Sequence, residues 1–273
     1  MILNFITWQP NPEIFSVDIP GIGILAPRWY GFLFALGFVF GYIILMKVFR
    51  KERIPLKVLD QLATYMIIAT IIGARLGHVL FYEPMEYFRN PVEILMVWKG
   101  GLASHGAAIA IILALLYFSK RNKKPFIWVF DRIAIVVALA GAFIRTGNLM
   151  NSEIYGIETG LPWGFIFVNT DPSMLPKHPT QIYEALAYLG TFIFLWVVYL
   201  KRNGSPRPGF LFAMFMILVF SFRFIIEFIK EPQVQFEVGM TLNMGQWLSI
   251  PFILIGVGTL IYIYRKKEKP ASG

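Results

Sequence analysis

Long apolar runs alternate with short polar stretches along almost the whole chain. Seven runs approach the ~20 residues that a membrane-crossing helix needs. The pattern predicts spans over residues 29–49, 60–82, 100–119, 127–145, 180–200, 209–229 and 246–264. Arg75 and His78 interrupt the second run, so a reading that merges or drops it stays open. The expected fold is all-α: a polytopic membrane protein of seven transmembrane helices, forming one integral domain over 1–273.

Two stretches stand outside this rhythm. Residues 1–28 hold Pro10, Pro12, Pro20 and Pro27 and no Lys or Arg before Arg28. A signal peptide needs a basic start and its own apolar core, so this segment reads as an ordered or interfacial lead-in. Leu149 to Pro179 is too polar and proline-rich to cross a bilayer. It reads as a small external cap between spans four and five, with extended pieces such as Gly164 to Asn169. Within the spans, Gly37-x-x-x-Gly41 and Gly73-x-x-x-Gly77 suit close helix approach.

Charge orients the array. Lys47, Arg50, Lys51, Arg53 and Lys57 follow span one, and Lys120, Arg121, Lys123 and Lys124 follow span three. Lys201, Arg202 and Arg207 follow span five, and Arg265, Lys266, Lys267 and Lys269 follow span seven. The opposite side has only Arg28, Arg89, Lys99, Arg145, Lys177 and Lys230. Positive loops stay inside, which puts the N-terminus outside and the C-terminus in the cytoplasm. The net charge of +9 therefore marks loops that face anionic membrane lipids. These short loops lack interleaved aromatics, so no nucleic acid is expected as a partner.

Composition agrees: the chain is 57% hydrophobic and only 15% charged, with mean hydropathy +0.62. Soluble domains carry roughly 25% charged residues. There is no cysteine, which removes disulfides, thiolate metal sites and a cysteine nucleophile. His78, His105 and His178 show no paired ligand spacing, so no metal and no cofactor are expected.

The polar residues near the spans gather on the outer side. Tyr30 stands at the start of span one, Arg75 and His78 late in span two, and His105 one turn into span three. Span four delivers Arg145, Asn148, Asn151 and Glu153, with Gly147 and Gly156 around them. His178, Gln181, Tyr183 and Glu184 open span five, and Arg223 and Glu227 lie four apart late in span six. Snorkelling alone would divide such groups between both interfaces. Asp131 and Arg132, near the inner edge of span four, read as structural.

A guanidinium among amides and small residues is a good phosphate receptor, because its fork of donors matches phosphate oxygens. His105 has small neighbours and an imidazole able to take a proton near neutral pH. The predicted cavity suits an anionic amphiphile, a lipid headgroup with its tails among the helices. Binding alone, transport or modification of such a lipid all stay open at this level.

GAFIRTGNLMNSEIYG, beginning at Gly141, resembles the signature of bacterial prolipoprotein diacylglyceryl transferases. WKGGLASHGA, HPTQIYE, RWYG, GARLGHVLFY and FRFIIEFIKEP resemble further blocks of that family in the same order, from about Trp29 to Ser249. The chain departs from the family at Ile144, Thr146 and Ala107. The resemblance implies a transferase of the bacterial inner membrane, with its active site toward the outer leaflet. It would move the diacylglyceryl group of phosphatidylglycerol onto the lipobox cysteine of a preprolipoprotein signal peptide, the first step of lipoprotein maturation. The resemblance further implies that Arg145 and Arg223 hold the phosphate while Asn148, Asn151, Glu153 and Gly156 shape the site. It makes His105 and Tyr30 the candidates for activating the thiol or placing the headgroup. Glu227 and Arg75 complete the expected substrate site. An anionic-lipid or anion transporter is the alternative class.

Overall fold

The computed structural model describes residues 5–20, 23–97, 100–237 and 239–265. The basic tail beyond Arg265, and Lys99 among the expected outer charges, lie outside them. Eight helices are described: α1 (Trp29–Lys51), α2 (Leu56–Phe81), α3 (Pro84–Arg89), α4 (Ser104–Arg121), α5 (Phe126–Met150), α6 (Thr180–Lys201), α7 (Phe210–Ile226) and α8 (Met244–Arg265). A 3-10 turn, Glu227–Ile229, continues α7.

Six of these helices are long and apolar enough to cross a membrane: α1, α2, α5, α6, α7 with its turn, and α8. The protein is thus a mostly helical, multi-pass membrane protein. Each expected span has a helix. α4 is the one outside the six: it has only 18 residues, and His105, Lys120 and Arg121 dilute its apolar run. α2 runs unbroken through Arg75 and His78, which removes the merged reading. α5 runs five residues past the expected end at 145, because no proline intervenes and Gly147 is accommodated within the helix. Arg145 and Asn148 therefore stand on a helix face, not in a loop.

Four short strands accompany the helices: β1 (Ile6–Trp8), β2 (Val17–Ile19), β3 (Gly23–Leu25) and β4 (Phe165–Phe167). β2 and β3 form an antiparallel hairpin. β1 pairs in parallel with β4, with Ile6 opposite Phe165. The expected extended stretch at 164–169 is thus a strand, and its partner comes from the lead-in.

By backbone proximity the described chain forms two compact units. The first runs up to Ile44 and resumes at Asp131; the second is Leu45–Phe130. In the first, α1 approaches α5 through small residues. A Cβ at Gly37 would lie 3.2 Å from the Ala140 Cβ, and one at Gly41 3.6 Å from the Val136 Cβ. Asp131 is fully buried and caps α7, its two oxygens accepting from the Gly209 amide at 2.7 Å and the Phe212 amide at 2.9 Å. A carboxylate there satisfies amides that the helix itself leaves open. This gives the structural reading of Asp131 its cause.

In the second unit α2 packs along α4. A Cβ at Gly106 would overlap the Gly73 carbonyl oxygen, and Gly77 lies equally close. The small residues around His105 are there for this crossing, which lets two backbones meet. A helix crossing and a path for a ligand ask for the same small residues here.

Candidate functional site

The signature segment builds its site from the last two turns of α5. Arg145 points its Nε at Glu184 Oε2, 3.1 Å away. Its Nη1 donates to Asn148 Oδ1 at 3.2 Å. Asn148 in turn donates to Glu153 Oε1 at 2.7 Å, and Asn151 donates to the same oxygen at 3.2 Å. The helix ends there because Ser152 and Ile154 take positive φ, 55° and 61°, folding Glu153 back beneath the amides.

Tyr30 lies against this turn. A Cβ at Gly147 would come within 2.9 Å of its ring, so only glycine admits the tyrosine without displacement. The phenol interacts electrostatically with both Glu153 and Arg145.

Glu184 is wholly buried on α6 and serves two cations. Besides Arg145 it holds Lys230 Nζ at 3.1 Å. Lys230 reaches Glu227 Oε1 at 3.0 Å, and Glu227 Oε1 lies 3.9 Å from Arg223 Nε. Asn243 donates to the other Glu227 oxygen at 3.0 Å. The result is a chain of alternating charge, Arg145–Glu184–Lys230–Glu227–Arg223, with an arginine at each end. Arg223 is its most open member, its side chain 32% exposed.

Buried ions are tolerated only when paired and hydrogen-bonded. Within this chain three cations face two carboxylates, and Glu153, reached from Arg145 through Asn148, is a third carboxylate close by. The two end guanidiniums are where an anion would find donors.

Gly156 has a different place. A Cβ there would overlap the Ile229 carbonyl oxygen and approach His178 Cβ at 2.7 Å and Thr180 Cγ2 at 2.8 Å. Three segments cross at this residue, so the requirement for glycine is one of packing.

The structure thus brings together Tyr30, Arg145, Asn148, Asn151, Glu153, Arg223 and Glu227 in the first unit. Glu184 and Lys230, which the expected site omitted, are its centre. A signal for Lys230 was present: it is three residues past Glu227, the spacing that brings side chains together on a helix turn. Glu184 had no such partner within its own segment.

Arg75 and His105 belong to the second unit. Arg75 is buried, and its donors go to backbone carbonyls. Nε donates to Ile94 O at 3.0 Å, Nη1 to Gly100 O at 2.7 Å and Gly101 O at 3.2 Å, and Nη2 to Glu93 O. Its guanidinium also lies 4.8 Å from the Tyr87 ring centre. His105 is exposed on α4, between Phe81 edge-on at 5.4 Å and Tyr82 at 5.7 Å. Tyr82 also stacks on His78 at 5.4 Å. Among the described residues no three His, Asp or Glu side chains come together in a way that could hold a metal ion.

Membrane helices that share an ion chain ending in two arginines define a class: multi-pass membrane proteins with an ionic network between their helices. Comparison with known proteins narrows the class. The family model of prolipoprotein diacylglyceryl transferase matches residues 18–262. The chain belongs to that family. It is 43% identical to the phosphatidylglycerol–prolipoprotein diacylglyceryl transferase of Tolumonas auensis, over 96% of this chain and 99% of that one. Proteins of the same name from Chloroherpeton thalassium and Porphyromonas gingivalis are 44% and 45% identical. They are covered over 92% and 94% of their lengths, and this chain over 93% and 94%.

Proposed function

We propose that this protein transfers the diacylglyceryl group of phosphatidylglycerol to the cysteine thiol of a preprolipoprotein lipobox, the first step of lipoprotein maturation. The observation that carries the reading is the alternating ion chain. Its two arginine ends supply donors of the geometry that a phosphodiester takes. Family membership over nearly the whole chain supports the same reaction.

In the reaction the thiol sulfur bonds to the terminal glyceryl carbon. The carbon–oxygen bond to phosphate breaks, and glycerol phosphate leaves with that oxygen. Charge grows on the departing phosphate, so donors already oriented toward it lower the barrier. Glu184 and Lys230 hold Arg145 in place, and Glu227 does the same for Arg223. Asn148, Asn151 and Glu153 fix the turn beneath them. Tyr30, within reach of that field, places the headgroup. His105 is the candidate for taking the thiol proton. Arg75 is the anchor of the Glu93–Gly101 loop rather than a phosphate ligand, since its donors are already committed to carbonyls.

The membrane arrangement follows from the charge pattern. We take the chain as one membrane domain with α4 as the third of seven crossings. The N-terminus and the 149–179 cap lie outside, and the C-terminus lies in the cytoplasm of a bacterial inner membrane. The helix that falls short of the six has basic residues at its inner end, as a third crossing would.

The test is transfer by purified protein from phosphatidylglycerol to a peptide with one lipobox cysteine. The parent should form the thioether. Arg145→Ala should lose about hundred- to thousandfold in rate per folded molecule, as expected for one preorganised donor group. Arg145→Lys should recover little, because the fork is lost. A transporter would move the lipid and leave the peptide unmodified. Near-parent transfer by the alanine variant would remove Arg145 from the phosphate site.

A further inference from the structure

Lys230 is the middle cation of the ion chain, and what holds it there lies outside the chain. It stands at the end of the turn after α7, in extended backbone with φ −88° and ψ 146°. Adjacent side chains of an extended segment point to opposite sides. Lys230 points to Glu184 and Glu227, and its neighbour Glu231 pairs with Lys177. Lys177 is itself buried, sits 3.5 Å from Asp171 and lies 5.7 Å from the centre of the Tyr155 ring. Asp171 is fixed by Ser173, whose amide and hydroxyl donate to it at 3.0 and 2.8 Å.

The backbone explains why this pair can matter. The Ile157 amide donates to Ile229 O at 2.9 Å, and the Glu231 amide donates more weakly to Tyr155 O at 3.4 Å. The Gly156 amide donates to His178 O at 2.8 Å, and Lys177 exchanges two backbone bonds with Phe165. The segment carrying Lys230 is thus the edge of a short ladder, with one neighbouring segment and a weak final bond. The ion pair closes that weak end.

Burial pushes the Lys177 amine down, but Glu231 and Asp171 outweigh it and raise it above its usual range. Lys177 is therefore charged at any pH the protein meets.

We propose that Lys177 and Glu231 are positioning residues: they clasp the segment after α7 so that Lys230 sits between Glu184 and Glu227. The inference rests on the phosphate-site reading above. If the clasp opens, the segment moves outward and Lys230 leaves two buried carboxylates. Arg145 and Arg223 then lose the fixed partners that aim them. Substrate still binds, but the donors are no longer set for the transition state, so the loss falls on kcat rather than on KM.

The test uses the full-length protein in micelles with phosphatidylglycerol and the single-cysteine peptide. Lys177→Met and Glu231→Gln should each lower kcat about tenfold, short of the ~hundredfold that a misplacement near 1 Å can cost. The KM for phosphatidylglycerol should change less than about twofold, because only transition-state alignment is lost. The double variant should be no worse than Lys177→Met alone, since that change already removes the pair with Glu231 along with the contact to Asp171. Lys177→Arg, which keeps the charge, should stay near the parent. Rates are divided by the folded fraction from size exclusion, so a loss explained by that fraction alone overturns the proposal. Unchanged kcat in both single variants overturns it too, as does a double variant with the product of the two losses. Arg145→Ala runs alongside. If it is inactive while the clasp variants are not, the clasp fails alone; if it is active, the phosphate-site reading has failed.

Discussion

Arg75 is a buried helix arginine and Arg145 a half-buried one, and their partners differ in kind. Arg75 spends its donors on the carbonyls of Glu93, Ile94, Gly100 and Gly101. Those partners belong to the fold and cannot leave, so the guanidinium ties a loop to α2. Arg145 is held by side chains, Glu184 on α6 and Asn148 one turn along α5. They aim it within a network of paired charges. A backbone-bound arginine reads as a structural tie; an arginine aimed by carboxylates and amides keeps the geometry that the proposed phosphate site asks for. The contrast extends to glycine. Gly106 lets α2 and α4 touch, whereas Gly147 makes room for Tyr30 beside the arginine.

The largest expected effect asks whether the second unit takes any part in the chemistry. If His105 takes the thiol proton, His105→Gln should keep phosphatidylglycerol affinity and lose about hundred- to ten-thousandfold in turnover. A thiol has a pKa near ~8.5, so raising the pH from about 7 to 9 should restore part of the rate as thiolate forms unaided. The measurement is the ratio of variant to parent rate across that range. A flat ratio with weakened lipid affinity would make His105 a headgroup contact and pass the base to Tyr30 or to the substrate phosphate.

Next in size is a direct exchange of the two arginines' roles. Arg75→Met leaves several carbonyls without donors, at about 1–3 kcal/mol for each that stays buried. Because the loop can turn some of them to water, the expected loss of stability is about 2–4 kcal/mol in all. Turnover per folded molecule should stay within about threefold, since no interaction with the substrate is removed. Arg145→Met should lose far more turnover per folded molecule, and some stability too, because the wholly buried Glu184 then keeps only Lys230 as a cationic partner. Thermal unfolding in detergent and transfer assays on the same samples decide it. An Arg75 variant that is stable and inactive would erase the distinction.

Much of the molecule was readable in the chain because membrane physics writes it there. Each apolar run became a helix, and Arg145, Asn148, Asn151 and Glu153 converge because they share one helix end and its turn. What was not readable was pairing at a distance. Glu184 lies 39 positions from Arg145 and 46 from Lys230, and nothing in its own segment names either partner. The strand β4 was legible as extended, but its partner at Ile6–Trp8 was not. Arg75 was ambiguous for a related reason: sequence shows that a cation is present, not which groups engage its donors. Small residues were ambiguous at His105 because a helix crossing and a ligand path ask for the same residue types.

The smallest effect separates the cap from the ion chain by pH. His178 precedes α6, and its Nδ1 lies 3.4 Å from the Tyr183 hydroxyl. That hydroxyl accepts from Trp163 Nε1 at 2.9 Å, which leaves its own proton to donate toward an unprotonated Nδ1. Burial pushes the His178 imidazole below its usual value. The folded state therefore holds this proton less readily than the unfolded chain. Its contribution to stability is full above about pH 6.5, the unfolded value, and is lost as pH falls toward the folded one. The ring is partly exposed, so the effect should amount to a few tenths of a kcal/mol, about 1 °C in Tm. His178→Gln keeps a polar side chain and removes the titration. Across pH 7.5 to 5.5 the gap between parent and variant Tm should narrow, with turnover per folded molecule unaffected. Parallel melting curves would show that His178 carries no proton linkage. A fall in turnover with that narrowing would place the cap's protonation within the control of the ion chain, and the boundary between the two regions would have to be redrawn.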